Sequence, residues 1–219
     1  SKLIRELTVA AKLGGSEPGD NPRLRLALDK ALGANMPKDT IERAIARGSG
    51  DQEAENLEET IYEGYGPNGV AIIVETLTDN KNRTVAEVRH AFSKYGGSLG
   101  TDGSVAYLFT KVGQIVVENS NEEKIFDVSV SNGAEEVEKG DEDNLIISVE
   151  AEEFHNLKNV LEENEIKINQ YELIMKASNS VELDDEASEK VINLLESLED
   201  LEDVQNVHSN AEFSEGSFA

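Results

Sequence analysis

A chain of 219 residues is long for one average domain and suits two or three small ones, and its 38 % apolar content can furnish modest cores. It has no cysteine, which excludes disulfides, thiolate metal sites and cysteine nucleophiles together, and its longest strongly apolar run, residues 70–74, is far below membrane-spanning length. The formal charge of −25 favours solubility and repels bulk polyanions, but it is unevenly spread. Residues 1–50 carry nine bases against six acids, residues 51–110 four against ten, and residues 111–219 seven Lys, no Arg and twenty-nine acids. Arg is the side chain suited to bidentate phosphate recognition, so a polyanionic partner is expected at the N-terminal part. No cationic-then-apolar leader precedes the first residues and no Met opens the chain, so a cytoplasmic protein with a trimmed or disordered start is expected.

In chain order, residues 1–13 read as a helix with Leu3, Leu7 and Ala10 on one side and Gly14-Gly15 stopping it. Asn21 is a good N-cap with Pro22 in the first helical position, and Leu24, Ala27, Leu28, Ala31 and Leu32 then follow a buried-face spacing. Pro37 opens a third helix with Ile41, Ala44 and Ile45 inward, which Gly48 is expected to end. Residues 48–57 are polar and acidic and read as a linker.

From Thr60 the period becomes that of strands. Residues 61–65 and 70–76 flank Gly66-Pro67-Asn68-Gly69, so a hairpin is expected. Thr84 and Glu87 have capping-box spacing ahead of a helix with Val85, Val88 and Phe92 buried, closed by Gly96-Gly97. Residues 104–109 alternate, with Val105, Tyr107 and Phe109 on one face, and read as a strand. A second α/β unit follows: a strand at 114–117, a helix at 121–133 (where Phe126, Val128 and Val130 also alternate as in a strand), a strand at 145–149, a helix marked by Phe154, Leu157, Val160 and Leu161, and a strand at 166–175. With a further strand between the first helix and 145–149, the order β-α-(β)-β-α-β is that of the ferredoxin-like split β-α-β. Ala187, Val191, Leu194, Leu195 and Leu198 then mark a strong helix before a short strand at 204–207. This last pair cannot form a core alone and is expected to complete the sheet begun at residue 60. The expected fold is therefore α+β: a helical N-terminal domain (1–57), a split α/β domain (58–110 and 178–219), and a ferredoxin-like α/β domain (111–177) inserted in it.

No enzyme chemistry assembles. Gly64-Tyr65-Gly66-Pro67-Asn68-Gly69 has dinucleotide-loop spacing, but a strand rather than a helix follows, so it reads as a hairpin turn. His90, His155 and His208 are scattered, read as solvated, and offer neither a metal site nor a nucleophile–base pair. The glycine-dense residues 96–104 form either a flexible turn or a backbone nest for a phosphate. No cofactor, metal, membrane or small-molecule substrate is expected. The best candidates are basic. Arg43 and Arg47 project from one helix face, and Arg23 and Lys30 lie about two turns apart, opposite Leu24 and Leu28. Lys2, Arg5, Lys12 and Arg25 belong to the same basic segment, and Arg83, Arg89 and Lys94 follow in the next domain. Spacing alone fits a merely solvated face as well as nucleic-acid contact. With no aromatic residue in 1–50, the contact would be to phosphate rather than by base stacking.

Several stretches resemble the YebC/PmpR family: Tyr62-Glu63-Gly64-Tyr65-Gly66-Pro67-Asn68-Gly69-Val70, Asp79-Asn80-Lys81-Asn82-Arg83-Thr84, and Gly100-Thr101-Asp102-Gly103-Ser104-Val105-Ala106-Tyr107-Leu108-Phe109. Earlier matches include Ala11-Lys12-Leu13-Gly14-Gly15, Asn21-Pro22-Arg23-Leu24-Arg25 and Arg43-Ala44-Ile45-Ala46-Arg47-Gly48. The resemblance implies three domains, one inserted in another. It also implies a cytoplasmic, DNA-binding transcriptional regulator, with a ribosome- or RNA-associated translation factor as the alternative, since mitochondrial relatives activate translation. It further implies a short, strongly basic segment ahead of Lys2, which would make the whole protein less negative.

Overall fold

The computed structural model describes residues 2–50 and 56–215. The chain divides into two compact units, residues 1–108 with 179–219, and residues 109–178. The first begins with three helices, α1 (Lys2–Gly14), α2 (Pro22–Gly33) and α3 (Lys38–Ser49). Asn21 caps α2 by accepting from Leu24 N at 3.1 Å, and its amide donates to the Ala10 and Gly15 carbonyls, both at 2.8 Å. One buried side chain thus starts α2 and ties it to the end of α1. Leu7, Ala10, Leu24, Ala27, Ala31, Ile41 and Ala44 form the core of these helices. Leu32 departs from expectation at 61 % exposure. It lies in the last turn of α2, about 80° off the Leu24 direction at 100° per residue, and the buried stripe does not reach it.

Gly48 does not stop α3, which runs on to Ser49. A Cβ at Gly48 would stand 2.1 Å from the Thr8 carbonyl oxygen, so glycine is required there for α1 and α3 to approach closely. Residues 51–55 of the expected linker lie outside the described residues, and its last residue, Leu57, is buried with Val9 and Leu77.

The hairpin follows, β1 (Glu58–Tyr65) paired antiparallel with β2 (Ala71–Thr78) through a 3-10 turn, with φ of 61° at Asn68 and 76° at Gly69. Helix α4 (Lys81–Lys94) is capped by Asn80, whose side chain accepts from Arg83 N. The expected box at Thr84 and Glu87 is not the cap. The helix begins a turn earlier, and the Thr84 hydroxyl instead donates inward to Asp203 at 2.8 Å. Val88, Ala91 and Phe92 are buried, while Val85 is half-buried. After β3 (Ser98–Leu99), residues 104–108 are not a strand: Ala106–Leu108 is a 3-10 turn and Tyr107 is 75 % exposed. The N–H groups of Gly103, Val105 and Ala106 all donate to the Glu63 carboxylate, which removes them as ladder donors.

The second unit runs β4 (Phe109–Glu118), α5 (Glu122–Ser131), β5 (Ala134–Lys139), β6 (Asn144–Glu150), α6 (Phe154–Glu163) and β7 (Ile168–Ala177). Its sheet has the order β5-β6-β4-β7, antiparallel throughout, the split β-α-β arrangement. The alternation of Phe126, Val128 and Val130 does not make a strand. They lie on α5, where Ile125 and Ser129 face inward and Phe126 and Val130 are about half exposed.

The chain then returns to the first unit as β8 (Val181–Glu182), α7 (Asp185–Glu199), β9 (Val204–Ser209) and β10 (Ala211–Glu212). β9 pairs antiparallel with β2, giving a sheet of order β3-β1-β2-β9, while β8 and β10 form a separate parallel pair. Val70, Ile72 and Val74 of the hairpin pack with Val88 and Phe92 of α4 and with Val191, Leu194 and Leu198 of α7. The fold is α+β, with the second unit inserted between the two halves of the first.

Candidate nucleic-acid interface

The structure sorts the eleven candidate cations into two groups. Several are committed inside the protein. Arg23 forks to Glu6 at 2.7 Å and to Glu59 at 2.5 Å, joining α2 to α1 and to β1. Burial opposes its charge, but the two carboxylates outweigh that and raise its pKa further above the usual arginine range. Lys2 donates to the Glu199 carbonyl, and Lys12 to the Leu57 carbonyl at 3.4 Å. Burial lowers the Lys2 pKa, against the raising effect of Glu199 and Asp200. Arg25 is half-buried.

Arg5 and Arg83 converge on one carboxylate. Asp203 is 1 % exposed and accepts from Arg5 at 2.9 Å, from Arg83 at 2.9 and 3.1 Å, and from the Thr84 hydroxyl. Burial alone would raise the Asp203 pKa, but the hydrogen bonds from Arg83, Arg5 and Thr84 prevail and hold it down at about 2. Arg5 also donates to the Leu77 carbonyl at 3.1 Å, so α1 is fixed to the sheet by the same side chain.

The second group faces solvent. Lys30, Arg43 and Arg47 are exposed, and none of them forms an ion pair with a carboxylate among the described residues. Arg43 and Arg47 share the outer face of α3, opposite Ile41 and Ala44, and Arg43 Nε donates only to the Asp39 carbonyl of its own helix, at 3.3 Å. That face is not purely basic. Asp39, Glu42, Arg43 and Ala46 line one hollow, and Lys38 pairs with Glu42 at 3.7 Å. Arg89 and Lys94 are exposed on α4.

This geometry can offer phosphate contacts, and the helical domain, with no aromatic residue in 1–50, offers no base-stacking platform. Residues 1–51 match the family model for the TACO1/YebC protein N-terminal domain, and residues 57–211 match that for the TACO1/YebC second and third domain. The chain belongs to the TACO1/YebC family. Relatives named probable transcriptional regulatory protein include one from Nitrosococcus oceani, 54 % identical over 216 residues, which cover 98 % of this chain and 87 % of that one. Another, from Methylococcus capsulatus, is 53 % identical over 220 residues, covering 100 % and 89 %. The crystal structure of a conserved hypothetical protein from Aquifex aeolicus superposes with a TM-score of 0.87 at 47 % identity, covering 98 % of this chain and 89 % of that one.

In this TACO1/YebC chain the glycine-dense loop already has its anion. Gly103, Val105 and Ala106 N–H groups donate to Glu63 at 2.6, 3.0 and 2.6 Å, and Gly100 N donates to the Glu63 carbonyl at 2.7 Å. Burial would raise the Glu63 pKa, but these three backbone donors lower it overall. Of the histidines, His90 is exposed, whereas His208 is largely buried beside Glu75 at 3.4 Å rather than solvated. Among the described residues no group of three or more His, Asp or Glu is placed to hold a metal, and no helix is long and apolar enough to cross a membrane. Sequence reasoning missed Asp203 and Glu63. A single Asp in an acidic tail carries no local mark of its partners, and neither does Glu63, which lies on the strand face opposite Tyr62 and Gly64 and is buried only because the loop at 103–106 folds over it.

Proposed function

We propose that this chain is a non-enzymatic, cytoplasmic regulator of gene expression that works by binding DNA, without cofactor, metal or small-molecule substrate. The contact is assigned to the helical domain (1–57), which precedes a split α/β domain (58–110 with 178–219) and the domain inserted in it (111–177). One observation carries this reading: Arg43 and Arg47 stand on the solvent face of α3 with no carboxylate partner among the described residues, while Arg5, Arg23 and Arg83 are spent on internal ion pairs. The names of the relatives support regulation of transcription.

The test is the double reversal Arg43→Glu with Arg47→Glu in the full-length protein. DNA binding should weaken strongly and its salt dependence should flatten, by about 0.9 in the log–log slope for each phosphate no longer neutralised. Folding should be unchanged, because Ile41 and Ala44 hold the opposite face. Unchanged affinity and slope would leave that face merely solvated. Co-sedimentation with ribosomes at physiological salt, with no preference among DNA sequences, would favour the translation reading instead.

A further inference from the structure

Apart from Arg83, which Asp203 and Asp79 hold, the outer face of α4 has no role in the fold, and its charge is unusual for this chain. The helix turns Thr84, Val88, Ala91 and Phe92 into the sheet. At 100° per residue, the arc opposite those four runs from Arg89 through Asn82, Ser93, Ala86, His90 and Arg83 to Lys94. It contains no carboxylate. The one acid of α4, Glu87, lies beyond Lys94 and is half-buried. In a chain of charge −25 this arc carries two cations with no ion pair among the described residues, Arg89 and Lys94, beside Arg83, whose charge is met by Asp203 and Asp79. The outer face of α3, by contrast, mixes Asp39 and Glu42 with its arginines.

The arc is also held rigidly. Asn80 caps the helix at 3.1 Å, Asp203 and Asp79 grip Arg83 from below, and Phe92 is fully buried. Arg89 and His90 are exposed and make no hydrogen bond or ion pair among the described residues, and Lys94 Nζ lies 5.4 Å above the Tyr95 ring. Lys94 in the last turn also complements the helix dipole, but that does not account for Arg89, which lies more than a turn earlier. Arg89 and Lys94 are five positions apart, a rise of about 7.5 Å at 1.5 Å per residue and a turn of about 140°, so they stand at the two edges of the arc and flank a backbone laid along it. No exposed aromatic ring lies in the arc, so it suits the backbone of a paired duplex better than the stacked bases of a single strand.

We propose that the outer face of α4 is a second phosphate-contact site that grips the backbone of duplex DNA through Arg89 and Lys94. It deepens the function proposed above and rests on it. Contact is to phosphate and not to base edges, so this face adds affinity and fixes register without reading sequence.

The test compares the full-length parent with Arg89→Gln/Lys94→Gln and with the α3 double reversal. A short duplex DNA of arbitrary sequence and an RNA hairpin serve as probes, between about 50 and 200 mM salt. The α4 pair should weaken duplex binding by about tenfold at the lower salt and reduce the slope by about two, roughly 0.9 for each phosphate released. The swapped variant Arg89→Lys/Lys94→Arg should restore both, with an unchanged thermal midpoint in every case. If the α3 variant weakens binding while the α4 pair binds as the parent does, the second site is overturned and the first reading stands. If only the α4 pair weakens binding, this site stands and the helical-domain contact falls. A parent that binds the RNA hairpin but not the duplex overturns the DNA assignment, and one that binds neither probe overturns both.

Discussion

Arg5 in the first helix donates to Asp203, 198 residues further along the chain, at 2.9 Å. The same carboxylate takes Arg83 and Thr84 from α4, so three elements far apart in sequence meet on one buried acid. Removing it leaves two guanidinium groups short of their counter-charge. Arg5 keeps Glu202 and the exposed Arg83 keeps Asp79, so Asp203→Ala should cost about 1–3 kcal/mol rather than the full cost of an unpaired buried charge. Denaturant unfolding gives the magnitude, and hydrogen exchange should show α1 and α4 loosening together. A cost below about 1 kcal/mol would mean that the cluster is solvated and structurally idle.

Acid stability follows from the same residue. The Asp203 pKa falls from 3.8 to about 2 on folding, because the hydrogen bonds from Arg83, Arg5 and Thr84 overcome the burial penalty. Its contribution is present above the unfolded value and is lost as pH falls through the folded one. At about 1.4 kcal/mol per pKa unit it amounts to about 2.5 kcal/mol, disappearing between about pH 4 and pH 2. Unfolding free energies of the parent and of Asp203→Asn across that window should converge by this amount. Parallel curves would contradict the assignment.

Leu194 tests whether the two halves of the first unit share a core. It is fully buried in α7 and packs in one cluster with Val88 and Phe92 of α4 and Val70 to Val74 of the hairpin. Leu194→Ala should cost roughly 2–5 kcal/mol. Near-ultraviolet circular dichroism should report loosened packing around Tyr62 and Tyr95, which flank that cluster. A surface-like cost below about 0.5 kcal/mol would remove α7 from the core.

What the sequence revealed of this fold was local. Asn21-Pro22 announced a cap and a helix start, and Gly66 to Gly69 announced a turn, because each acts on the backbone within a few residues. The stripe from Ala187 to Leu198 was readable because one helix face needs only periodicity. The misreadings share a cause. Thr84 has capping chemistry, but Asn80 one turn earlier holds that position and Thr84 turns inward to Asp203. Gly48 reads as a helix stop, whereas it is required by a carbonyl forty residues earlier, at Thr8. The basic segment could be counted but not divided, since only the folded chain shows that Arg5 and Arg23 have internal partners and Arg43 and Arg47 have none with a carboxylate among the described residues.

Glu63 supplies the remaining prediction, and it separates loop order from fold stability. The residue is 6 % exposed and its carboxylate accepts from three backbone N–H groups of the loop before Tyr107, of which the Val105 donor is on a buried residue. In Glu63→Ala those donors lose their acceptor. An unsatisfied buried donor costs roughly 1–3 kcal/mol, and water can reach exposed Gly103 and half-buried Ala106 more readily than Val105. The loss should therefore be felt mainly at Val105 and remain local. Hydrogen exchange at Gly103, Val105 and Ala106 should accelerate by at least tenfold, while Ile72 and Val74 in β2 exchange only through global unfolding. Glu63→Gln keeps one acceptor oxygen but not the charge, and should fall between parent and alanine variant. Because the three donors lower the Glu63 pKa, acid should loosen the loop only below the ordinary glutamate range, and the parent loop should stay protected at pH 5. Unchanged exchange at Val105 in the alanine variant would show that the buried Val105 side chain, and not the carboxylate, holds the loop.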